Sequence, residues 1–242
     1  MKEKRPLLGI IGGLGPLSSA YFYELVTKHT AAERDQDHID IILSSHATTP
    51  DRTDFILGIS SDSPLPAMVE DAKSLEVYGA TAIVIPCNTA HYFIEEVRRA
   101  VHVPVPSIIT ETARHVKACG FRNAAILATK GTIASASYQN AFREIGLDST
   151  IPDQAGQDAL SEIIYGNVKK NVVPEPDVLY RILNPMFQAG CDCAILGCTE
   201  LSLIGEKMSD DPRIIDSLMV LADVSIRLMG HKTVGLPAGF PA

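Results

Sequence analysis

Two cysteines stand where a thiol could take part in acid–base chemistry. Cys87 follows the apolar run at 83–85 and precedes Asn-Thr-Ala-His, and Cys198 follows a similar run in AILGCTEL. In each case a pattern typical of a strand ends and a helical pattern begins. Because a helix start favours an anion, we expect this placement to lower the pKa of each thiol toward a usable thiolate.

Two other interpretations of the cysteines compete with this one. Free cysteine is often buried as a small hydrophobe, and this is the role we expect for Cys119, Cys191 and Cys193. A structural zinc site would need paired Cys-x₂₋₄-Cys spacing, which Cys191, Cys193 and Cys198 do not have, so no metal is predicted. The odd number of cysteines, with no secretory signal, favours free thiols in a reducing cytoplasm.

The elements that must position these residues alternate along the chain. Apolar runs predict strands at 7–11, 38–45, 81–85, 123–129 and 191–197, and another strand in VPVPSI, ending near Ile109. Helical patterns are predicted at about 17–32, at 64–78, from Cys87 to about Ala100, up to about Cys119, and at 216–229. Such alternation predicts βαβ units, and therefore an α/β fold built on parallel sheets.

An internal similarity predicts that the chain consists of two related halves. Gly79–Cys87 aligns with Gly190–Cys198, and Gly9–Ser19 aligns with Ala125–Ser135, in the same order along the chain. We therefore predict two pseudo-symmetric domains, each a parallel sheet flanked by helices. The predicted bounds are residues 1–104 with 214–242 for the first domain, and residues 105–213 for the second.

The duplicated arrangement gives the two thiols a joint role. Ligands of parallel α/β sheets bind at the carboxyl ends of the strands, where both Cys87 and Cys198 fall. If the halves face each other across a cleft, one thiolate can take a proton from a substrate carbon while the opposite thiol donates one. Each sulfur would then lie about 3–3.5 Å from that carbon, and the two sulfurs roughly 6–8 Å apart. This arrangement would invert a carbon centre.

Composition and charge limit the classes of partner. The 242 residues include 21 Lys and Arg against 29 Asp and Glu, a formal net charge of −8. Nucleic-acid binding needs clustered positive charge, so a nucleic-acid partner is not expected. No apolar run approaches the roughly 18 residues that span a membrane. An anionic substrate would have to be attracted by local positive groups, because the overall charge repels it.

The glycine-rich loop at Gly9–Gly15 is a weak match to a dinucleotide site. From Gly13 the pattern is G-x-G-x-x-S, so the third glycine is absent, and the second predicted strand ends in serines where an acidic residue is expected. A tight βα turn explains the glycines equally well, as does a loop whose N–H groups hold a carboxylate. No cofactor is predicted.

Five motifs in the same order resemble those of the aspartate racemase branch of the aspartate/glutamate racemase superfamily. They are GGLGP, TPDRT, IPCNTAH, LATKGT and LGCTEL, and the resemblance extends over about residues 8–203. It implies two similar α/β domains with the active site between them. It also implies a homodimer that acts on a small amino acid without pyridoxal phosphate.

The resemblance also assigns roles by motif. It implies that Cys87 and Cys198 are the two catalytic acid/base residues. The residues implied to bind the α-carboxylate or amino group are Asn88, Thr89, Thr129, Thr132 and Thr199. Arg52 resembles the arginine that holds the distal carboxylate, and Lys169, in IIYGNVKKN, resembles a second cation for that group. Two such cations would attract a dicarboxylate that the net charge repels.

Departures from the family pattern leave the substrate open. His46 stands where relatives often have asparagine, Thr49 replaces an apolar residue, and Asn171 stands where glycine is expected. Aspartate is the first prediction. The alternatives are a glutamate or broad-specificity amino-acid racemase, a hydantoin racemase or a maleate isomerase, and, in another class, a non-catalytic binding module. His91 is expected to orient a helix start, to tune Cys87, or to be a satisfied structural histidine.

Overall fold

The computed structural model describes residues 5–237 and residue 240. Residues 1–4, 238–239 and 241–242, all in the predicted first domain, lie outside the described residues. The strands are β1 (Leu7–Gly12), β2 (Asp40–Ser45), β3 (Ala82–Val84), β4 (Asn123–Leu127), β5 (Asp148–Thr150), β6 (Cys193–Leu196) and β7 (Ile214–Asp216).

The α-helices lie between and after these strands. They are α1 (Pro16–His29), α2 (Arg52–Ile56), α3 (Leu65–Tyr78), α4 (Ile94–Ala100), α5 (Ile108–Ala118), α6 (Lys130–Ala134), α7 (Ser137–Glu144), α8 (Gln154–Ser161), α9 (Asp177–Gln188), α10 (Thr199–Gly205) and α11 (Ser217–Leu228). Short 3₁₀ segments are Asp35–Asp37, Thr89–Phe93, Val168–Lys170 and Glu206–Met208, and Glu162–Asn167 is π-helical.

Two parallel sheets repeat one strand order. The first sheet is ordered β2-β1-β3 and the second β5-β4-β6-β7, so the opening strand of each half lies between the next two. The aligned glycines Gly79 and Gly190 both have a φ of 103°, a left-handed conformation that glycine adopts easily, and each ends a helix before the strand that leads to a cysteine. The predicted α/β fold with two pseudo-symmetric sheets is confirmed.

One hydrophobic cluster joins the two sheets. It includes Ile10 of β1, Ile126 of β4 and Ile195 of β6, together with Leu218 and Leu221 of α11, all of them fully buried. Parallel strands are covered on both faces, which is why these runs are almost continuously apolar. The helix α11 therefore packs against strands of both halves.

Two predictions about strands need correction. The strand predicted in 103–108 does not form, because Pro104 and Pro106 have no N–H to donate to a ladder. This segment gives β3 one backbone hydrogen bond, from Ile83 N–H to Pro104 O at 2.9 Å, and α5 begins at Ile108 with Ser107 as its N-cap. The short strand β7 is absent from the predictions. It begins at the predicted domain boundary and pairs with β6, so residues 214–216 extend the second sheet. The remaining domain bounds stay a prediction.

The described part of the chain contains no helix that is long and apolar enough to cross a membrane.

Candidate active site

The carboxyl ends of the two sheets meet at one buried cavity. Cys87 follows β3 and Cys198 follows β6, where it is the N-cap of α10. Both cysteines line this cavity. So do six of the seven other predicted site residues: Arg52, Asn88, Thr89, Thr129, Lys169 and Thr199. Cys87 leads into a 3₁₀ segment before α4, where the sequence predicts an α-helix to start directly.

The remaining predicted residue, Thr132, lies one hydrogen bond behind the cavity. Its hydroxyl is 2.9 Å from that of Thr89 and 3.1 Å from that of Thr129, and the Thr89 and Thr129 hydroxyls are 2.9 Å apart. Thr89 comes from the first half and the other two from the second. Each hydroxyl can donate to one neighbour in this triangle. A carboxylate that binds here would take over one of those donors.

Asn88 is held by two buried partners. Tyr138 OH donates to its Oδ1 at 2.6 Å, and its Nδ2 donates to Ser217 Oγ at 3.0 Å; Ser217 Oγ in turn donates to Leu196 O at 2.7 Å. Burial raises the pKa of Tyr138 well above its ordinary value, so the phenol stays a neutral donor. These bonds fix the amide orientation and leave one N–H of Asn88 Nδ2 for a ligand.

Arg52 begins α2, and backbone carbonyls hold its guanidinium. Nη1 donates to Thr49 O and Pro50 O at 3.3 and 3.0 Å, and Nη2 donates to Leu14 O at 2.8 Å. Burial lowers the pKa of Arg52, but the charges of Cys87 and Asp51 outweigh burial and the net shift is upward. The buried Nε has no partner among the described residues. Two of the five N–H donors therefore remain, enough for one carboxylate.

Glu200 lines the cavity and is one of the residues that the sequence predictions miss. Cys198 Sγ donates to Glu200 Oε2 at 3.0 Å, and Glu200 as a whole residue is only 5% exposed. Burial, and then the negative charge of Glu200, raise the pKa of Cys198 well above its ordinary value. The predicted lowering of the Cys198 pKa by its helix start is therefore wrong. The signal was present in LGCTEL, where an acid stands two residues after the cysteine.

Lys169 reaches the cavity from the 3₁₀ segment Val168–Lys170. Its Nζ lies 3.1 Å from Glu200 Oε1 and 5.3 Å from the centre of the Tyr165 ring. The backbone of Lys169 is open to solvent, whereas its side chain is 27% exposed. Burial lowers the pKa of Lys169, and Glu200 and Cys198 raise it by more, so the amine stays charged. Lys170 is exposed and does not line the cavity.

The family of this chain follows from comparison with known proteins. Residues 11–224 match the family model described as Asp/Glu/Hydantoin racemase. The chain belongs to this family. The predicted resemblance is therefore confirmed, and the protein is an isomerase, an amino-acid racemase.

Individual relatives resemble this racemase over nearly its whole length. The broad specificity amino-acid racemase RacX of Bacillus subtilis is 29% identical over 224 residues, which cover 91% of this chain and 96% of that protein. The structure of Picrophilus torridus aspartate racemase aligns with a TM-score of 0.82 at 30% identity, over 94% of this chain and 96% of that one. An aspartate racemase homologue from Pyrococcus horikoshii aligns with a TM-score of 0.73 at 27% identity, over 94% and 100%.

The three departures of the racemase from its family pattern have different local surroundings. Asn171 has a φ of 63°, a left-handed conformation that asparagine tolerates better than most residues, so it can stand where glycine is expected. His46 does not line the cavity: its Nδ1 lies 3.0 Å from Asp71 Oδ2. Thr49 is buried, and its carbonyl helps to hold Arg52.

His91 of the racemase has a structural role. Its Nδ1 lies 2.8 Å from Cys87 O, and its Nε2 accepts the N–H of Ile108, the first residue of α5, at 3.0 Å. A carbonyl can only accept and an N–H can only donate, so Nδ1 carries the proton. Burial lowers the pKa of His91 to about 4, which keeps the ring neutral. The histidine therefore joins the Cys87 backbone to the start of a helix.

Proposed function

We propose that this racemase inverts the Cα of aspartate by a two-base mechanism in which Cys87 and Cys198 act from opposite sides. The observation that carries the proposal is the contrast between the two buried thiols in one cavity. Cys87 lies beside the guanidinium of Arg52, whereas Cys198 donates its proton to the carboxylate of Glu200. The first sulfur is placed to take a proton and the second to give one.

The proton movements balance in each direction. With Cys87 as thiolate, its sulfur takes the Cα proton, the electron pair stays on the substrate, and Cys198 delivers its thiol proton to the opposite face. Cys198 is then the thiolate and Cys87 the thiol. The other enantiomer needs the opposite starting state, with Cys198 as thiolate and Cys87 as thiol. Glu200 Oε2, at 3.0 Å from Cys198, is the acceptor within reach of the Cys198 proton, and Cys87 takes its proton from solvent. We predict a separation of roughly 6–8 Å between the sulfurs.

We propose that the other side chains of the cavity form two groups, one that binds the α-carboxylate of the substrate and one that binds its distal carboxylate. The hydroxyls of Thr89 and Thr129, the free N–H of Asn88 and the start of α10 at Thr199 are donors for the α-carboxylate and the charge that develops beside it. Thr132 supports the first two. The remaining donors of Arg52, together with Lys169, would hold the distal carboxylate. Proton transfer by positioned groups contributes roughly 10²–10⁴-fold, so much of the acceleration must come from these donors.

Isotope exchange tests this proposal directly. We would incubate the protein in D₂O with a panel of D- and L-amino acids and follow deuterium at Cα together with the optical rotation. The expected result is deuterium at Cα of aspartate with loss of rotation from either enantiomer. Absence of exchange with every amino acid in the panel would overturn the racemase mechanism.

A second candidate is a broad-specificity amino-acid racemase. Backbone carbonyls occupy three of the five N–H donors of Arg52. This favours broad specificity, because only two donors are left to select substrates that have a distal carboxylate. The similarity to RacX supports the same candidate. In the panel, comparable exchange rates for aspartate and for amino acids without a distal carboxylate would favour it. The family resemblance also supports a cytoplasmic homodimer, whose mass light scattering would measure.

A further inference from the structure

Two cavities meet at a single ion pair. The inner cavity contains the two thiols, and its volume is about 10 Å³, room for about one water molecule. The outer cavity, of about 360 Å³, is lined by residues 15–18 at the start of α1 and by Val168 and Asn171. Among the residues that the structure describes, Lys169 and Glu200 alone line both cavities. The ion pair is therefore the wall between the catalytic cavity and the outer one.

The backbone around this wall is shaped for the carboxylate. Gly15 is the N-cap of α1, and a Cβ at this position would lie 2.6 Å from Glu200 Oε1. The φ of Gly15 is −131°, which any residue adopts, so a larger residue here would conflict with the present position of the Glu200 carboxylate and not with the backbone conformation. Glu200 Oε1 thus lies between the ammonium of Lys169 and the start of a 14-residue helix, which favours a negative charge.

We propose that the Lys169–Glu200 pair is a gate operated by the substrate's distal carboxylate. Resting on the proposed function, the inference is that this carboxylate takes Lys169 from Glu200 as it enters from the outer cavity. When Lys169 leaves Glu200 for the substrate carboxylate, the ion pair that separates the inner cavity from the outer one is broken. This exchange also leaves Glu200 without its cation and beside the thiol of Cys198.

The exchange links substrate binding to acid–base chemistry. A carboxylate without a neighbouring cation binds a proton more readily. In the direction in which Cys198 is the base, the S–H bond of Cys198 then breaks, an O–H bond forms at Glu200 Oε2, and the electron pair stays on sulfur. Cys87 is the thiol that donates in this direction. The transfer conserves charge, and the negative charge passes from Glu200 Oε2 to the sulfur of Cys198, 3.0 Å away. A substrate with no distal carboxylate cannot make this exchange, so specificity arises in kcat as well as in KM.

The first test needs no turnover. In a Cys87→Ser variant, we would titrate succinate, a dicarboxylate without an amino group, while following the ultraviolet absorbance of thiolate, and measure binding by calorimetry. The expected result is a gain of about one thiolate per chain, absent when Glu200→Gln or Cys198→Ser is added and absent with butyrate. Binding of succinate without a thiolate signal would overturn the gate. So would failure of succinate to bind.

The second test uses turnover and separates the two proposals. We expect the wild-type kcat for aspartate to exceed that for asparagine by roughly tenfold or more, the effect of one pKa unit. In Lys169→Met, KM for aspartate should rise and the ratio of the two kcat values should fall toward unity. An unchanged ratio in this variant would reject the gate while leaving the racemase standing. No wild-type turnover of any amino acid would reject the proposed function itself.

Discussion

The hydroxyl of Tyr138 donates to Asn88 Oδ1 across 2.6 Å, and this bond joins the second half of the molecule to the cavity-lining segment of the first. Tyr138 is fully buried and does not line the cavity. Its effect on a substrate would therefore pass through the orientation of the Asn88 amide.

Tyr138→Phe should lower kcat/KM for aspartate by roughly 10–100-fold, because the Asn88 amide loses the partner that fixes its orientation. The buried Oδ1 left without a donor should also cost about 1–3 kcal/mol of unfolding free energy. Steady-state kinetics and chemical denaturation measure the two effects. Tyr180→Phe is the matched control, because its hydroxyl contacts Asp211 away from the cavity. Equal kcat/KM in both variants would contradict a positioning role for Tyr138.

Cys87→Ser and Cys198→Ser should each reduce racemisation by at least roughly 10²–10⁴-fold, because a serine hydroxyl is a far weaker acid than a thiol. Cys119→Ser, outside the cavity, is the control and should retain the wild-type rate. Polarimetry follows the loss of rotation from D- and L-aspartate. Wild-type-like rates in either active-site variant would reject the two-base mechanism.

Glu200→Gln should change activity and thiol reactivity in opposite directions. Glu200 raises the pKa of Cys198, so its neutral replacement should bring that pKa down and increase the rate at which iodoacetamide alkylates Cys198 in a Cys87→Ser background. Racemisation, measured with Cys87 intact, should fall because the acceptor of the Cys198 proton is lost. A variant that loses activity and thiol reactivity together would point to simple misfolding.

The neutral His91 should make the protein less stable in acid. Its folded pKa of about 4 lies below the ordinary 6.5, so the unfolded chain binds the proton more readily. The free energy of unfolding is therefore unaffected by His91 protonation above pH 6.5. It falls as the pH drops from 6.5 toward 4, by about 3 kcal/mol in total. Denaturation of wild type and His91→Gln across this range measures it.

The difference between the His91→Gln and wild-type curves removes the effect of other groups, including Asp216, whose pKa burial raises to about 6. Glutamine can keep both hydrogen bonds of His91, so the variant should fold. Parallel curves for the two proteins would mean that His91 does not titrate differently on unfolding.

Gly15→Ala should reduce activity through Glu200 alone. The new Cβ would meet Glu200 Oε1 at 2.6 Å and push the carboxylate from its place, although the backbone conformation of Gly15 suits alanine. In a Glu200→Gln background the same substitution should cost much less, and a double-mutant cycle measures the difference. Additive effects would show that Gly15 acts independently of Glu200.

Sequence patterns predicted the features that occur in both halves of the molecule. The glycines at 79 and 190 precede equivalent strands of the two sheets, and the cysteines at 87 and 198 follow those same strands. Tyr138 and Ser217 gave no such signal, because their bonds to Asn88 arise only when separate elements pack together. The effect of Glu200 on Cys198 depends on burial, which the spacing of residues does not contain.

The hydrophobic cluster that spans both sheets has a consequence for how the molecule folds. Each half has a hydrophobic cluster of its own, but Ile10 of one sheet and Ile126 of the other share a third cluster with α11, so each half completes part of the other's core. Cutting the chain at the predicted boundary would expose apolar surface on both pieces. The shared cluster therefore couples the stability of the two halves, and we expect them to unfold in a single cooperative transition.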